Sequence, residues 1–471
     1  MTTTEPNPTD VTAAPAASDD EYVFLEGNFA PVTEEVTATD LEVTGSIPTA
    51  LAGRYLRTGP NPLAADAATY HWFAGDGMVH GVDLRDGGAQ WYRNRWVRSP
   101  EVLAAKGGAD VPHDVGGWYP GSGNTNVVHH AGSVWAVTEG SLPYEIGPEL
   151  ETLRTSNFGG TLPAGWNAHP KFDPDTNDLH VVAYGFDEPY LRYHVISADG
   201  QVTRTEEIDM QASVMVHDMG FSAERVLFFD LPVLFDLEAA MNGVQLPFRW
   251  DPEYNARVGV MPKKGTAADT VWIDVDPCYV YHPLNAYDDG DAMIIDLVVH
   301  PRAFDDAVRR DPSQGVPNLQ RWTLDTAKAT WSAEVIDERG QEFPRADERL
   351  AGRQHRYGYS LGNTGFASLG VTSDVSETGI LKQDLVAGTT ATYEFGAGNV
   401  GSEFVFVPES DTAGEDEGWL MGYVYDGARG ASDLVILDAH DFGGAPVASV
   451  HLPARVPQGF HGNWVPDRAM K

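Results

Sequence analysis

From about residue 50 to the C-terminus this chain is a succession of short extended runs broken by turn residues, and that pattern restricts it to all-β architectures. The runs AGSVWAVTE (131–139), DLHVVAYG (178–185), LRYHVISADGQVTRTEEI (191–208), RVLFFDLPV (225–233), DAMIIDLVVH (291–300) and SDLVILDA (432–439) have the β-branched and aromatic content of strands. The 49 Gly and 31 Pro supply the punctuation, and several runs are joined by Asp-Gly or Asp-Asn turns. Helical periodicity is scarce: LFDLEAAMNG (234–243) and HPRAFDDAVRRD (300–311) read as short helical insertions between strands. No linker interrupts the succession, so a barrel, a sandwich or a propeller is implied, and the internal repeats are too weak to fix a blade number.

Histidines sit at the joints of this pattern. His217 lies in MVHDMGFSAERVLFFDLPV, at the end of one extended run and before a fully apolar strand. His169 in GWNAHPKFDPDTNDLHVVAYG and His282 in CYVYHPLNAYDDGDAMIIDLVVH each lead into a β-rich run through a turn, and His461 stands in GFHGNWVPDRAMK. Four loops so far apart converge only if the chain closes on itself, and their convergence makes a nitrogen-only metal site. A single histidine of this kind is ordinarily structural. The recurrence is what makes these four candidates.

Bulk properties set the remaining limits. With 471 residues, 42% of them hydrophobic, the chain has material for one large closed domain or for two or three ordinary ones. Its formal net charge of −38 argues against nucleic acid and against electrostatic docking on anionic membranes. Cys278 is the only cysteine, which excludes an intrachain disulfide and suits a reducing, cytoplasmic setting. Residues 1–21 have neither a basic region nor an apolar one, so they read as a disordered lead-in rather than a signal peptide. No stretch approaches the roughly 18 apolar residues that span a bilayer.

Two motif matches fail on context. GYSLG (358–362) fits the serine-hydrolase elbow, but that turn needs a helix after the serine, and LGNTGFASLG is too rich in glycine to form one. DPDTND (173–178) resembles the start of a calcium loop, yet Asp178 stands where glycine is required and Tyr184 where glutamate is required. A hairpin turn accounts for it better.

Eight ordered motifs, GRYLRTGPNP (53–62), HWFAGDGMVHGV (71–82), NTNVVHHAG (124–132), AHPKFDP (168–174), VHDMGF (216–221), YHPLNAYDDGD (281–291), EFPRADERLAGRQHRYGY (342–359) and HGNWVP (461–466), together resemble the carotenoid cleavage oxygenases. The resemblance runs from about residue 22 to the end and implies one domain over 22–471, a seven-bladed β-propeller with a dome of helices and loops over an axial metal site. It implies ferrous iron, Fe(II), held by His169, His217, His282 and His461. Glu139, Glu342 and Glu403 match the acidic positions that orient such histidines, expected on His217, His282 and His461 respectively, which leaves His169 without a carboxylate. Thr125 matches a position that crowds one open coordination site and steers dioxygen. His71, His80, His129, His130 and His355 match no ligand position. A facial triad of two histidines and a carboxylate would use Asp218 instead.

The resemblance implies an oxidoreductase that cleaves a carbon-carbon double bond with dioxygen into two carbonyl products. Four neutral nitrogens leave two of six positions open for that chemistry. The substrate is expected to be an apolar alkene, a carotenoid or apocarotenoid. The phenylpropanoid and stilbene branch of the family (resveratrol, isoeugenol or 4-vinylguaiacol type) binds its phenol with a lysine just before the first glutamate and a tyrosine from an upstream loop. Here the lysine position is Thr138, and the only tyrosine of the upstream segment 104–123 is Tyr119, beside Trp118. Threonine cannot balance a phenolate, so the polyene branch is favoured. Trp72, Phe73, Trp96, Trp118, Phe235 and Trp464 are candidate tunnel residues. Leu234, Phe235, Leu237 and Met241 form either an apolar entrance patch, giving at most transient membrane contact, or a helix face packed on the propeller. Two further readings stay open: iron serving isomerisation and ester cleavage, and a non-catalytic propeller that only binds partners.

Overall fold

The computed structural model describes residues 24–469, apart from 68, 115–120, 160–161, 163–164, 306–307, 309–311 and 363–378. The 1–21 lead-in, Trp118, Tyr119 and residues 306–307 and 309–311 of the 300–311 helix candidate lie outside the described residues. The first half of that candidate, 300–305, forms a bridge and bends rather than a helix. Seven antiparallel sheets of four to six strands form the blades of a seven-bladed β-propeller. Blade 2 is Asn126–His130, Ser133–Val137, Tyr144–Ile146 and Thr152–Thr155. Blade 3 runs from Lys171–Phe172 to Val202–Ile208, blade 4 from Gly220–Phe221 to Val271–Asp274, blade 5 from Pro283–Asp289 to Thr330–Asp337, and blade 6 from Gln341–Arg345 to Thr389–Glu394.

The ring is closed by both ends of the chain. Gly462–Pro466 is the innermost strand of blade 1 and pairs with Gly53–Pro60, Gly53 opposite Pro466 and Arg57 opposite Gly462. Thr37–Ala38 completes the outer edge of the same blade, while Glu42–Gly45 adds to the outer edge of blade 7 beside Ala448–His451. Closure leaves no long free edge at the seam, which is how a sheet protein of this size avoids pairing with other chains.

Burial explains the two kinds of strand in the sequence. The middle strands Gly77–Arg85, Arg225–Asp230 and Ala292–Val299 are covered on both faces by neighbouring blades and are almost wholly buried. The outermost strands Val202–Ile208, Thr330–Asp337 and Thr389–Glu394 lie in solvent and carry the polar residues. The core is accordingly a set of wedges between blades. Leu227, Val258 and Val260 of blade 4 pack on Met293, Ile295 and Leu297 of blade 5, and Val405, Met421 and Ile436 of blade 7 on Tyr55, Val82 and Tyr92 of blade 1.

The rejected motifs are ordinary parts of this scheme. Ser360 is buried in the strand Tyr357–Gly362, and DPDTND is the turn between the paired strands Lys171–Phe172 and Leu179–Tyr184. The 234–243 helix shrinks to Leu237–Met241, capped by Asp236, whose carboxylate accepts from the amide of Ala239. It does not pack an apolar face on the propeller: Leu237 is 63% and Met241 80% exposed. It sits on a small separate hairpin, Val233–Phe235 with Phe248–Trp250.

Candidate metal centre

The innermost strands of the blades lie around the axis, and residues at or near their ends, with Glu139 after the second strand of blade 2, make the site. His169, His217 and His282 stand just before the innermost strands of blades 3, 4 and 5, and His461 immediately before the innermost strand of blade 1. Thr125 directly precedes the innermost strand of blade 2, and Glu139 follows its second strand, Ser133–Val137. Glu342 is in the innermost strand of blade 6, and Glu403 lies between Asn399–Gly401 and Val405–Pro408 of blade 7. Neighbouring members are separated by 48 (His169 to His217), 65 (His217 to His282), 60 (His282 to Glu342) and 58 residues (Glu403 to His461). That spacing is the blade repeat, carried by the site rather than by the strands.

The four histidines each offer one nitrogen, and these atoms all lie within 4.8 Å of one another, a group that could hold a metal ion. Nε2 of His217 is 3.0 Å from Nε2 of His169 and 3.2 Å from Nε2 of His282. The opposite edges of three rings meet carboxylates. His217 Nδ1 contacts Glu139, His282 Nδ1 is 2.5 Å from Glu342 Oε2, and His461 Nδ1 is 2.9 Å from Glu403 Oε1. A carboxylate only accepts, so each of these Nδ1 atoms carries the proton and each Nε2 presents a lone pair. Lone pairs about 3 Å apart repel unless a cation sits among them, and imidazole nitrogens suit first-row transition metals. The donor set therefore fits a divalent metal with no ligand charge.

Electrostatics holds His169 and His282 neutral and pulls His217 the other way. Burial, and then the neighbouring His217, His461 and His282, push His169 well below the ordinary histidine value. Burial lowers His282 to about 4 against the opposing pull of Glu342. His217 also loses by burial, but the Glu139 carboxylate outweighs that and leaves it raised. Burial would raise Glu403, yet Arg345 and His461 hold it at about 2; Glu342, likewise buried, is held below the usual range by His282 and His300. Thr125 Oγ1 donates to Asn124 Oδ1 at 2.9 Å, while its carbonyl accepts from the His461 amide. Asp218 bonds Lys171 Nζ at 2.7 Å and is not part of the histidine group.

A family model described as "Retinal pigment epithelial membrane protein" matches residues 29–466. The chain belongs to this family, that of the carotenoid cleavage oxygenases. It is 43% identical over 497 residues to a carotenoid cleavage oxygenase of Mycobacterium tuberculosis, covering 96% of this chain and 99% of that protein. It is 31% identical to a carotenoid 9,10(9',10')-cleavage dioxygenase of Crocus sativus, covering 95% and 90%. The solved structure of Pseudomonas brassicacearum lignostilbene dioxygenase superposes with a TM-score of 0.85 at 26% identity, over 96% of this chain and all of that one. The protein is an oxidoreductase of the carotenoid cleavage type.

Three residues that sequence reasoning missed hold the outer sides of this oxygenase's glutamates. Tyr184 donates its hydroxyl to Glu139 Oε2, His300 Nε2 lies 2.8 Å from Glu342 Oε1, and Arg345 Nη1 lies 3.2 Å from Glu403 Oε2. Arg345 was within reach, since it falls in the same EFPR stretch as Glu342, but Tyr184 and His300 look like ordinary strand-end residues. Phe343 was also missed. It has φ +53°, a left-handed conformation unusual for a bulky residue, and its ring lies 5.4 Å from that of His282 and 5.3 Å from that of His461.

Among the described residues, two cavities reach the histidines. One of about 250 Å³ is lined by Trp72, Phe73, Phe186, Leu246, Phe248 and Phe460 and ends on Thr125, Glu139, His217, His282 and His461. The other, about 790 Å³, runs along the bore among the innermost strands and ends on His169, His282 and His461. Of the tunnel candidates, Trp72 and Phe73 line the first cavity and Trp464 the second. Trp96 is instead a core residue packed with Met78 and Val102. Phe235 stacks on Phe186, centroids 4.0 Å apart, and so backs the first cavity rather than lining it. Thr138 lines the first cavity, but its hydroxyl accepts from the Asn124 amide at 2.8 Å and lies 3.1 Å from Asn124 Oδ1.

Proposed function

We propose that this chain is a ferrous-iron dioxygenase that cleaves a double bond of a carotenoid or apocarotenoid, both atoms of dioxygen entering the two carbonyl products. The observation that carries the reading is the set of four ring nitrogens brought together at the end of a cavity walled largely by aromatic and aliphatic side chains. His169, His217, His282 and His461 would hold the metal, and Glu139, Glu342 and Glu403 would fix three of the rings in the tautomer that presents Nε2. Bound there, iron would supply the activation of dioxygen. The chain's own contribution is to lay an alkene beside the histidines and exclude water, with Thr125 narrowing the space next to His461.

Thr138 supports the apolar substrate. Its hydroxyl is already engaged with the Asn124 backbone and side chain, so at the lysine position of phenol-binding relatives this cavity offers neither a cation nor a free donor. The likeness to a lignostilbene dioxygenase keeps a phenylpropanoid or stilbene alkene as the second reading. Exposed Leu237, Met241 and Val244, with Phe186 at the cavity wall, would let the cavity take an apolar substrate directly from a membrane surface, a contact that the charge of −38 keeps hydrophobic and brief. Among the described residues no helix is long and apolar enough to cross a membrane.

The test is anaerobic reconstitution with ferrous iron followed by labelled dioxygen and a panel of β-carotene, apocarotenals, resveratrol, isoeugenol and 4-vinylguaiacol, with products read by mass spectrometry. Labelled aldehydes from the polyenes alone are expected. Labelled aldehydes from the phenolics alone would move the protein to the second reading.

A further inference from the structure

We infer that the bore of the propeller is the route by which a hydrated divalent cation reaches the four histidines, separate from the apolar cavity that admits substrate. The inference rests on the proposed metal centre and concerns how that centre is filled. His282, His461 and Phe343 line both cavities, so the two meet at the histidines with the Phe343 ring against both imidazoles.

Their walls differ in what they offer an ion. Through the first cavity an ion would shed its water among Trp72, Phe186, Leu246 and Phe248, which return no ligand for the hydration lost. Among the described residues, its only polar side chains short of Glu139 and the histidines are the uncharged Thr125, Thr138, Tyr184, Gln245 and Tyr281. The bore instead is lined by charged side chains of both signs, five carboxylates among Lys171, Arg345, Arg349, Arg353 and Arg468. Asp411 and Glu348, 67% and 61% exposed, stand at its open end, and Asp347, Asp218 and Glu403 are buried deeper, the last two beside His217 and His461. Each has a cationic partner: Arg468 on Asp411 at 2.6 Å, Arg345 on Glu348 at 2.5 Å and on Glu403 at 3.2 Å, Arg349 on Asp347 at 2.5 Å, and Lys171 on Asp218 at 2.7 Å. The pairing keeps the wall polar without making it a trap. Oxygen atoms can replace coordination waters one at a time, and no single unpaired carboxylate binds the ion short of the histidines. Magnitude favours the same conclusion, because even after relaxation the desolvation penalty of an ion is several kcal/mol.

The measurement is the rate at which metal-free protein takes up Co(II) in stopped flow, followed by the visible absorption of the imidazole-bound ion, with final stoichiometry read separately. Ala346→Trp and Val128→Trp each obstruct the bore, and Leu246→Trp obstructs the apolar cavity. Uptake is expected to slow by about tenfold or more in either bore variant, a rise in barrier of about 1.4 kcal/mol, at unchanged final stoichiometry. Leu246→Trp is expected to load at the wild-type rate. Thermal melts identify a bore variant that does not fold, and the other then carries the test. Slowing by Leu246→Trp alone, equal slowing in all three, or no slowing in any overturns the inference. Wild-type protein that binds no Co(II) would instead overturn the proposed metal centre.

Discussion

Replacing Glu342 with glutamine removes one charge and changes almost nothing else. Glu342 is 1% exposed; its Oε2 lies 2.5 Å from His282 Nδ1 and its Oε1 2.8 Å from His300 Nε2. Glutamine has the same shape, with one accepting oxygen and one donating amide. Facing the oxygen to His282 turns the amide toward His300, which can accept at Nε2 if its proton moves to Nδ1. Among the described residues that atom is buried without a partner, so the shift breaks no bond but leaves its N–H unpaired. The His282 contact then falls from a charge-assisted to a neutral hydrogen bond, a difference of about 1.4 kcal/mol, or about tenfold in metal affinity. This sits at the low end of the ten- to hundredfold range for residues that orient metal ligands. The assay is anaerobic competition for ferrous iron or Co(II) against a chelator, with the melting temperature of the metal-free protein as control. Unchanged affinity would refute the reasoning, as would a metal-free variant that no longer folds, since either outcome makes Glu342 a part of the framework rather than of the centre. His282→Ala, which removes the nitrogen itself, is expected to retain no metal through gel filtration.

Tyr184→Phe keeps the ring on the wall of the apolar cavity but withdraws the hydroxyl from Glu139, and metal affinity should fall by about fivefold, near 1 kcal/mol, in the same competition assay. Thr138→Lys places an ammonium group where the threonine hydroxyl held Asn124; it should lower the melting temperature and allow cleavage of hydroxystilbenes, seen as aromatic aldehydes in the product spectrum. Acid should destabilise the metal-free protein in two steps. His194 and His282 are held neutral, at about 4 against an ordinary 6.5, mainly by burial, so their contribution is complete above pH 6.5 and declines as pH falls from 6.5 to 4. Each accounts for up to about 1.4 kcal/mol per pH unit in that window, measurable by urea denaturation at pH 7.5, 5.5 and 4.5. Glu403, held at about 2 against an ordinary 4.5, contributes stability that is complete above pH 4.5 and is lost as pH falls toward 2.

The all-β reading was legible because strand content and turn residues are local properties. The expected runs 131–139, 178–185 and 291–300 appear as Ser133–Val137, Leu179–Tyr184 and Ala292–Val299. The number of blades was not legible from strand similarity, because blade contacts ask only for apolar residues in the middle strands and leave their identity free. The 234–243 segment shows the limit from the other side. Its composition suits an amphipathic helix, but only the fold decides that Leu237 and Met241 face outward.

For the site, the sequence by itself determined which residues have the right chemistry and where they occur: four histidines at the starts of strands, three glutamates, and a threonine in the lysine position. Tertiary structure decided the rest. Ring closure by Gly462–Pro466 brings His461 to His169, with centroids 4.5 Å apart, although nearly three hundred residues separate them. The same closure settles which nitrogen faces inward, which of Tyr184, His300 and Arg345 supports each glutamate, and that two cavities of opposite character end on one set of imidazoles. The physical reason is that a side chain's chemistry belongs to its residue, whereas direction, charge partner and access to water are set by whatever other blades bring to the axis.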